Sequence, residues 1–351
     1  MARPRARVVT FKVHGTLNGG LAMHILITGG AGFIGSHLVE HHLNKLDIVH
    51  AIDDLSTGNV DNISPFLSNP NFHFTQADIL TYPDIEKITC WADRIYHMAA
   101  VVGMFRVLKE PEKVLAVNIG ATERLLRAVK SSNWTPRLLI ASTSEVYGDT
   151  NKKGSSCEDT TLRISSEVNN RSTYAISKIA GESFGLSYYR RFNIPITILR
   201  LFNTIGPRQT GKYGMVVPRF VNSAKENEPL VIYGSGEQTR SFIDVRDSVA
   251  LMDEIANNPQ TIGHIVNLGN DHEVSINTLA GLVKKLAKSD SKISHISYKE
   301  AYGELFEDIM FRKPDLTKLR QTTQYHYQWS LKKTLTDLIK LSRTRSLTNK
   351  L

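Results

Sequence analysis

Cysteine is scarce in this chain: Cys90 and Cys157 are the only two in 351 residues. Two are too few for a disulfide framework and fit a reducing cytosol, so a cytoplasmic location is expected. No apolar run approaches the roughly 20 residues a membrane helix needs, and no membrane partner is expected. Neither CxxC nor HExxH occurs. His41 and His42 are adjacent and cannot both face one ligand from a helix. They read most simply as solvated helix residues, and no metal site is expected. Internal repeats and low-complexity blocks are absent too.

Acids are missing from both ends of the chain. Residues 1–22 hold Arg3, Arg5, Arg7 and Lys12, and residues 340–351 hold Lys340, Arg343, Arg345 and Lys350, with no Asp or Glu in either stretch. Removing those eight from the 43 Lys and Arg leaves 35 basic against 34 acidic residues, so the net charge of +9 belongs to the tails. The body is close to neutral, and no nucleic-acid partner is expected. Residues 1–22 lack a signal-peptide apolar core. They read as a basic, disordered extension, with Met23 as a natural start, or as a weak Arg-rich targeting segment. Residues 341–351 read as a basic tail.

What is present is an ordinary globular composition, 41% hydrophobic and 22% charged, on a chain long enough to bury a sizeable core. Short aliphatic and β-branched runs occur at 24–28, 47–52, 94–97, 137–141 and 195–201. Helical patterns lie between several of them, at 33–46, 111–131 and 172–192. Strands alternating with helices predict an α/β fold, a Rossmann-type doubly wound parallel sheet over residues 23–201. After residue 202 Gly, Pro and polar residues become frequent, and helical patterns follow at 275–288, where Ser275 can cap, and at 330–342. Residues 202–340 therefore read as a smaller C-terminal α/β substrate lobe, with the site in the cleft outside the strand ends.

The stretch ITGGAGFIGSHL places Gly29, Gly32 and Gly35 after a strand and at the start of a helix. That is the context of a dinucleotide fingerprint. The first glycine permits the sharp turn, the second lets a pyrophosphate approach, and the third lets helix and strand pack. The helix start at Phe33, Ile34 and Gly35 then faces the phosphates. The next strand ends in Asp53-Asp54, whose carboxylates suit ribose hydroxyls and repel a 2′-phosphate, so NAD is expected rather than NADP. Further on, RSTYAISK sets Tyr174 and Lys178 four residues apart on one helix face. A nearby ammonium is expected to lower the tyrosine pKa and make it a usable base. Thr143 supplies a hydroxyl at the end of a buried strand. Together Thr143, Tyr174 and Lys178 form an alcohol-oxidising trio beside a nicotinamide.

These residues, with HMAA, NIGAT, STSEVYG, RLFNTIGPRQ and YGSGEQTRSFIDVRD, make the sequence over roughly 23–340 resemble the extended short-chain dehydrogenase/reductases of the nucleotide-sugar epimerase/dehydratase group. The resemblance implies that Asp78 and Ile79 lie near the adenine, and that Ala99, Asn118 and Lys178 also touch the cofactor. It implies further that Asn203, Arg219, Tyr233, Arg240 and Arg312 bind a sugar nucleotide, the arginines suiting its diphosphate. It implies a first step common to the group, oxidation of the sugar at C4. On this reading a UDP-sugar 4-epimerase comes first. UDP-glucuronate decarboxylase and 4,6-dehydratase are the alternatives, because Glu145 beside Ser144 adds a carboxylate that a simple epimerase does not need. A catalytically silent, NAD-sensing regulator that binds nucleic acid is the remote one. The group usually dimerises through its NIGAT and YAISK helices. The apolar residues Leu125, Leu126, Val129, Phe184 and Leu186 suit either such a homodimer or the core.

Overall fold

The computed structural model describes residues 16–17, 20–132, 134–148, 154–164, 170–211, 214–302 and 309–348. Residues 1–15 and 18–19 of the expected extension lie outside these. Thr16–Leu17 and Gly20–Leu21 pair as a short antiparallel ladder.

Runs such as HILIT, RLLIAST and ITILRL carry no polar alternation, as befits strands covered on both faces. They form a seven-stranded parallel sheet of β1 (His24–Thr28), β2 (Ile48–Asp53), β3 (Phe72–Gln76), β4 (Arg94–His97), β5 (Arg137–Thr143), β6 (Ile196–Leu201) and β7 (Ile265–Leu268). The order is β7-β6-β5-β4-β1-β2-β3. The chain enters at β1, runs to one edge, then crosses back to β4 on the other side of β1. The order therefore reverses between β1 and β4, which opens a crevice above their C-terminal ends.

Each face of the sheet has its own core. Helices Phe33–Asn44 and Val245–Asn257 cover one face with Leu38, Val39, Leu43, Met252 and Ile255. Helices Ile85–Trp91, Pro111–Ser131 and Asn170–Phe192 cover the other. Leu125, Leu126 and Val129 are fully inside that second core, and Phe184 and Leu186 pack against it. Burial within one chain thus accounts for Leu125, Leu126 and Val129, while Phe184 and Leu186 stay partly exposed.

A third core belongs to the smaller lobe, where helices Val216–Glu226, Ile276–Ala287 and Leu331–Thr348 pack around Phe220, Ile232, Leu279 and Leu335. Ser275 caps the second of these by accepting from the Thr278 N–H, as its sequence suggests. The lobes do not divide cleanly at 201/202. Helix Val245–Asn257 and β7 both return to the main sheet, because a parallel edge strand can only be reached by such a crossover. The last helix likewise continues through residues 341–348, which the sequence reading gave to a tail.

The base of the sheet is held by buried charge. Arg94 and Arg137 open β4 and β5 and are both buried. Arg137 donates to Pro195 O, Thr197 Oγ1 and Thr261 Oγ1. Arg94 pairs with Asp253 of the helix Val245–Asn257, which also receives His41 and Lys45. His42 is not solvated, as its sequence suggested. It is fully buried between Asp47, at 2.7 Å, and the Tyr96 hydroxyl, at 3.1 Å. Burial alone would raise the Asp253 carboxyl. Hydrogen bonds from His41 and Lys45 and the charge of Arg94 instead hold it far below the usual range. A depressed carboxyl stabilises the fold above its unfolded pKa of about 4, and that contribution is lost as pH falls below it. Asp253→Ala leaves Arg94 buried without its counter-ion and should cost about 3–5 kcal/mol in urea unfolding. It should also flatten the acid limb of stability between about pH 4 and pH 2. A loss under about 1 kcal/mol would show that the pair does not anchor this helix.

Candidate active site

The glycine-rich turn is built as the fingerprint requires. Gly29 takes φ +72°, and its N–H donates to Ile52 O at 2.7 Å. A methyl on Gly35 would collide with the Gly29 carbonyl, so helix and strand touch there. A methyl on Gly32 would meet only that same oxygen, at 3.1 Å, which leaves its outer side open to the cavity that it lines. The helix behind it has no side-chain cap and no acid in its first turn. Its Phe33, Ile34 and Gly35 line the cavity as well. An anion therefore has a backbone N–H cradle to occupy. Gly30, which the glycine spacing did not single out, is also required, because a side chain there would run into Ala51.

Asp53 is buried at the end of β2, where Oδ2 accepts from Ala31 N at 3.0 Å and Oδ1 from Leu55 N at 2.8 Å. Burial pushes its carboxyl up while those N–H groups pull it down, the net direction being upward. Gly58 lets the following loop close over this carboxylate, since a methyl there would sit 2.6 Å from Asp53 Oδ1. Asp54 is exposed and accepts from Ser56 N. Asp54, Asp78, Ile79 and Ala99 all line the same cavity. Asn118 does not. Its Oδ1 accepts from Val101 N at 2.7 Å, and its Nδ2 donates to Val101 O and Ser177 Oγ. It is buried behind the wall and holds the 99–103 loop in place rather than lining the cavity itself.

At the end of β5 the reactive trio comes together. Tyr174 and Thr143 both line the cavity there, and the Thr143 hydroxyl draws the Tyr174 phenol down. The Lys178 ammonium lies 5.9 Å from the Tyr174 ring centre and donates to Ala141 O at 2.9 Å. The expected effect of the ammonium on the tyrosine is not what dominates. Burial pushes the Tyr174 phenol up, and the charge of Glu145 adds to this, against smaller opposing effects from Thr143 and Arg312. The same burial pushes Lys178 down to about 8, opposed by Glu182. Two ionisable groups in one dry wall are each driven towards their neutral form.

Glu145 stands in the turn Ser144–Tyr147 just after Thr143, and its N–H donates to Thr143 Oγ1 at 3.3 Å. Arg312 reaches it from the strand Phe311–Pro314, with Nη1 at 3.5 Å from Glu145 Oε1 and only 11% of its side chain exposed. The sequence implied a diphosphate contact for Arg312. Its geometry puts it beside Glu145 and Tyr174. Arg240 is its register partner on the adjacent parallel strand, so the two arginines lie side by side on the small sheet. Arg219 lies over the Tyr233 ring, 4.0 Å from its centre, and donates to Val231 O. Asn203 donates to Ser241 O at 2.9 Å. All five line the cavity.

Two further lining residues were missed. Arg208, of the GPRQ stretch, donates to Ser36 O and pairs with Glu40, tying the second lobe to the fingerprint helix. Gln238 is buried and donates to Tyr233 O. Arg208 does not stand out in sequence because its partners lie about 170 residues away, and Gln238 because its bond to the Tyr233 carbonyl depends on the loop between them. Among the described residues no cluster of His, Cys, Asp or Glu could hold a metal ion, and no helix is long and apolar enough to cross a membrane.

The whole cavity measures about 1120 Å³, at or above the upper end of single-ligand pockets. It is continuous from Asp53 to Tyr233, with the reactive trio between. A dinucleotide at the glycine end and a second nucleotide at the arginine end both fit that donor set. Comparisons with known proteins agree. The model of the NAD dependent epimerase/dehydratase family matches residues 25–269. A UDP-N-acetyl-alpha-D-glucosaminuronate decarboxylase from Bacillus cytotoxicus is 34% identical over 319 residues, 88% of this chain and 96% of that protein. UDP-glucuronic acid decarboxylase 2 from Arabidopsis thaliana is 33% identical over 92% of this chain and 69% of its own length. A solved variant of UDP-glucuronic acid 4-epimerase from Bacillus cereus, in complex with UDP-4-deoxy-4-fluoro-glucuronic acid and NAD, is 30% identical. It has a TM-score of 0.81, with 91% of this chain and 100% of that one covered. The glycine cradle, the buried Asp53 and the reactive trio thus sit in a chain that belongs to the NAD dependent epimerase/dehydratase family, a family of NAD-dependent enzymes of nucleotide sugars.

Proposed function

We propose that this protein is a decarboxylase of a UDP-linked hexuronate, using NAD that is regenerated in each turnover. The observation that carries the reading is the Arg312–Glu145 pair beside Tyr174. A neutral hexose offers a mostly buried guanidinium at that end only hydroxyl oxygens and no counter-charge. A uronate brings a carboxylate, and the planar fork of Arg312 suits it. The relatives named as decarboxylases of UDP-glucuronic acid and UDP-N-acetylglucosaminuronate support the same substrate class.

NAD, when bound, supplies the hydride acceptor at C4 and the hydride donor that closes the cycle. Tyr174 takes the proton of the C4 hydroxyl, with Thr143 holding that hydroxyl in line. Lys178 holds positive charge close to the phenol and stabilises its ionised form. Once C4 is a ketone, the C6 carboxylate is β to it. The C5–C6 bond then breaks with its electron pair drawn towards the C4 oxygen, and carbon dioxide leaves. Tyr174, protonated in the first step, stabilises the charge that develops on that oxygen. C5 takes up a proton, and C4 is returned to an alcohol. Arg312 orients the carboxylate out of the ring plane, and Glu145 keeps the guanidinium in place until the substrate carboxylate shares it.

The 4-epimerase that comes first from sequence is the second reading, now for the same uronate class. The 30% identical epimerase of UDP-glucuronic acid favours it. The two readings share every step up to the ketone and differ at C5.

Incubation with UDP-glucuronate and UDP-N-acetylglucosaminuronate in heavy water distinguishes them. A pentose product 44 mass units lighter, before counting one deuterium at C5, is expected from the stoichiometry of carbon dioxide loss. A product of unchanged mass, inverted at C4 and without deuterium at C5, would replace the decarboxylase by the epimerase. Tyr174→Phe should keep the fold and bound NAD and lower turnover by about a hundredfold or more. Near-normal turnover of that variant would remove Tyr174 from its role as base.

A further inference from the structure

Directly behind the reactive trio lies a buried ion pair that the chemistry above does not use. Glu182 follows Lys178 by four residues on the helix Asn170–Phe192, one turn along the same face. Arg200 of β6 meets it with two bonds, Nε to Oε1 at 2.9 Å and Nη2 to Oε2 at 2.7 Å. Their side chains are 3% and 5% exposed, Arg200 first. Ser142 Oγ donates to Glu182 Oε1 from the strand residue just before Thr143. The guanidinium is fixed in turn, donating to Glu158 O at 3.0 Å and lying 4.8 Å from the Tyr147 ring centre. Tyr147 donates to Asn267 on β7.

A buried ion pair adds little net stability over an apolar pair of similar size. Its value here is where it puts a negative charge. We propose that Glu182 is a positioning residue that keeps Lys178 charged, its carboxylate being locked by Arg200 and Ser142 one helical turn from the ammonium. The other groups around Lys178 supply at most a carbonyl dipole and bring no free negative charge to it. On its own helix Tyr174 is a phenol, protonated at neutral pH. From β4 comes His97, whose imidazole is pushed down to about 3 by burial and by the Lys178 charge, so it is neutral. From β5 come the Ala141 carbonyl and the hydroxyls of Ser142 and Thr143. Arg200 of β6 stands behind Glu182. Glu145 lies across Tyr174, where Arg312 holds it. Burial drives Lys178 down, and the charge of Glu182 is what opposes it.

The consequence for turnover rests on Tyr174 and Lys178 being the reacting pair, but the charge of Lys178 can be read without turnover. The full-length protein, labelled with ¹³C-lysine, gives a Cε signal for Lys178 that is identified by its disappearance in Lys178→Arg. In Glu182→Gln its titration midpoint should fall below the wild-type value by about one pH unit. Glu182→Gln/Arg200→Met removes both charges, so no lone ion is left to unfold the chain, and its midpoint should fall as well. Ser142→Ala, which keeps the carboxylate, should leave the midpoint in place. The alkaline limb of kcat should move with the midpoint. A midpoint that stays put in both Glu182 variants, or moves equally in Ser142→Ala, would overturn the proposal. A midpoint that falls while the limb of kcat does not would uphold the charge effect of Glu182 and count instead against Lys178 as a reacting group.

Discussion

Charge kept out of water is the constraint on which the site depends. In a low-dielectric wall an unpartnered ion costs far more than a protein of this size can spare, so each one must be met by a partner at short range. The ends of a parallel sheet supply such partners cheaply. Asp53 is met by the N–H groups of Ala31 and Leu55, and Lys178 by the Ala141 carbonyl. Glu182 is met by Arg200, and Glu145 by Arg312. Remove the sheet and none of these pairings survives, because the partners come from segments up to 167 residues apart in sequence, as for Glu145 and Arg312.

Most of that arrangement serves one chemical end. Oxidising an alcohol needs a base that can lose a proton, and burial works against this by pushing the Tyr174 phenol up. A positive charge nearby offsets burial, so under the proposed chemistry the charge of Lys178 would bear on how readily Tyr174 loses its proton. The second lobe adds the feature on which the proposed substrate class rests. Its small sheet puts Arg312 next to Arg240 and across from Glu145, giving that end of the cavity a cation that suits the carboxylate of the proposed substrate. On the two readings above, epimerase and decarboxylase would differ in what happens at C5 after a shared oxidation at C4.

How much of this the sequence revealed follows from the range of each interaction. The fingerprint turn, the Tyr174–Lys178 face and the Ser275 cap are local, so spacing alone exposes them. The strand β7 and the helix before it were missed. IVNL is four residues long with no periodic signal, and its place at the sheet edge depends on a crossover that sequence pattern does not encode. His42 looked like a surface residue because its partners Asp47 and Tyr96 are chosen by the fold. Asn118 looked like a cofactor contact because its motif resembles one, yet both ends of its amide are taken up by Val101. The ammonium effect on Tyr174 was argued from charge alone. Burial, which outweighs it, is visible only once the wall is assembled.

The central claim is that Arg312 recognises a carboxylate on the sugar. Calorimetric binding of UDP-glucuronate and UDP-glucose to the wild type and to Arg312→Met tests it most directly. The wild type should favour the uronate by about tenfold or more, on the order of 1.4 kcal/mol for one charge-assisted pair, and the variant should bind both nucleotides alike. Equal affinities in the wild type, or an undiminished preference in Arg312→Met, would contradict the claim.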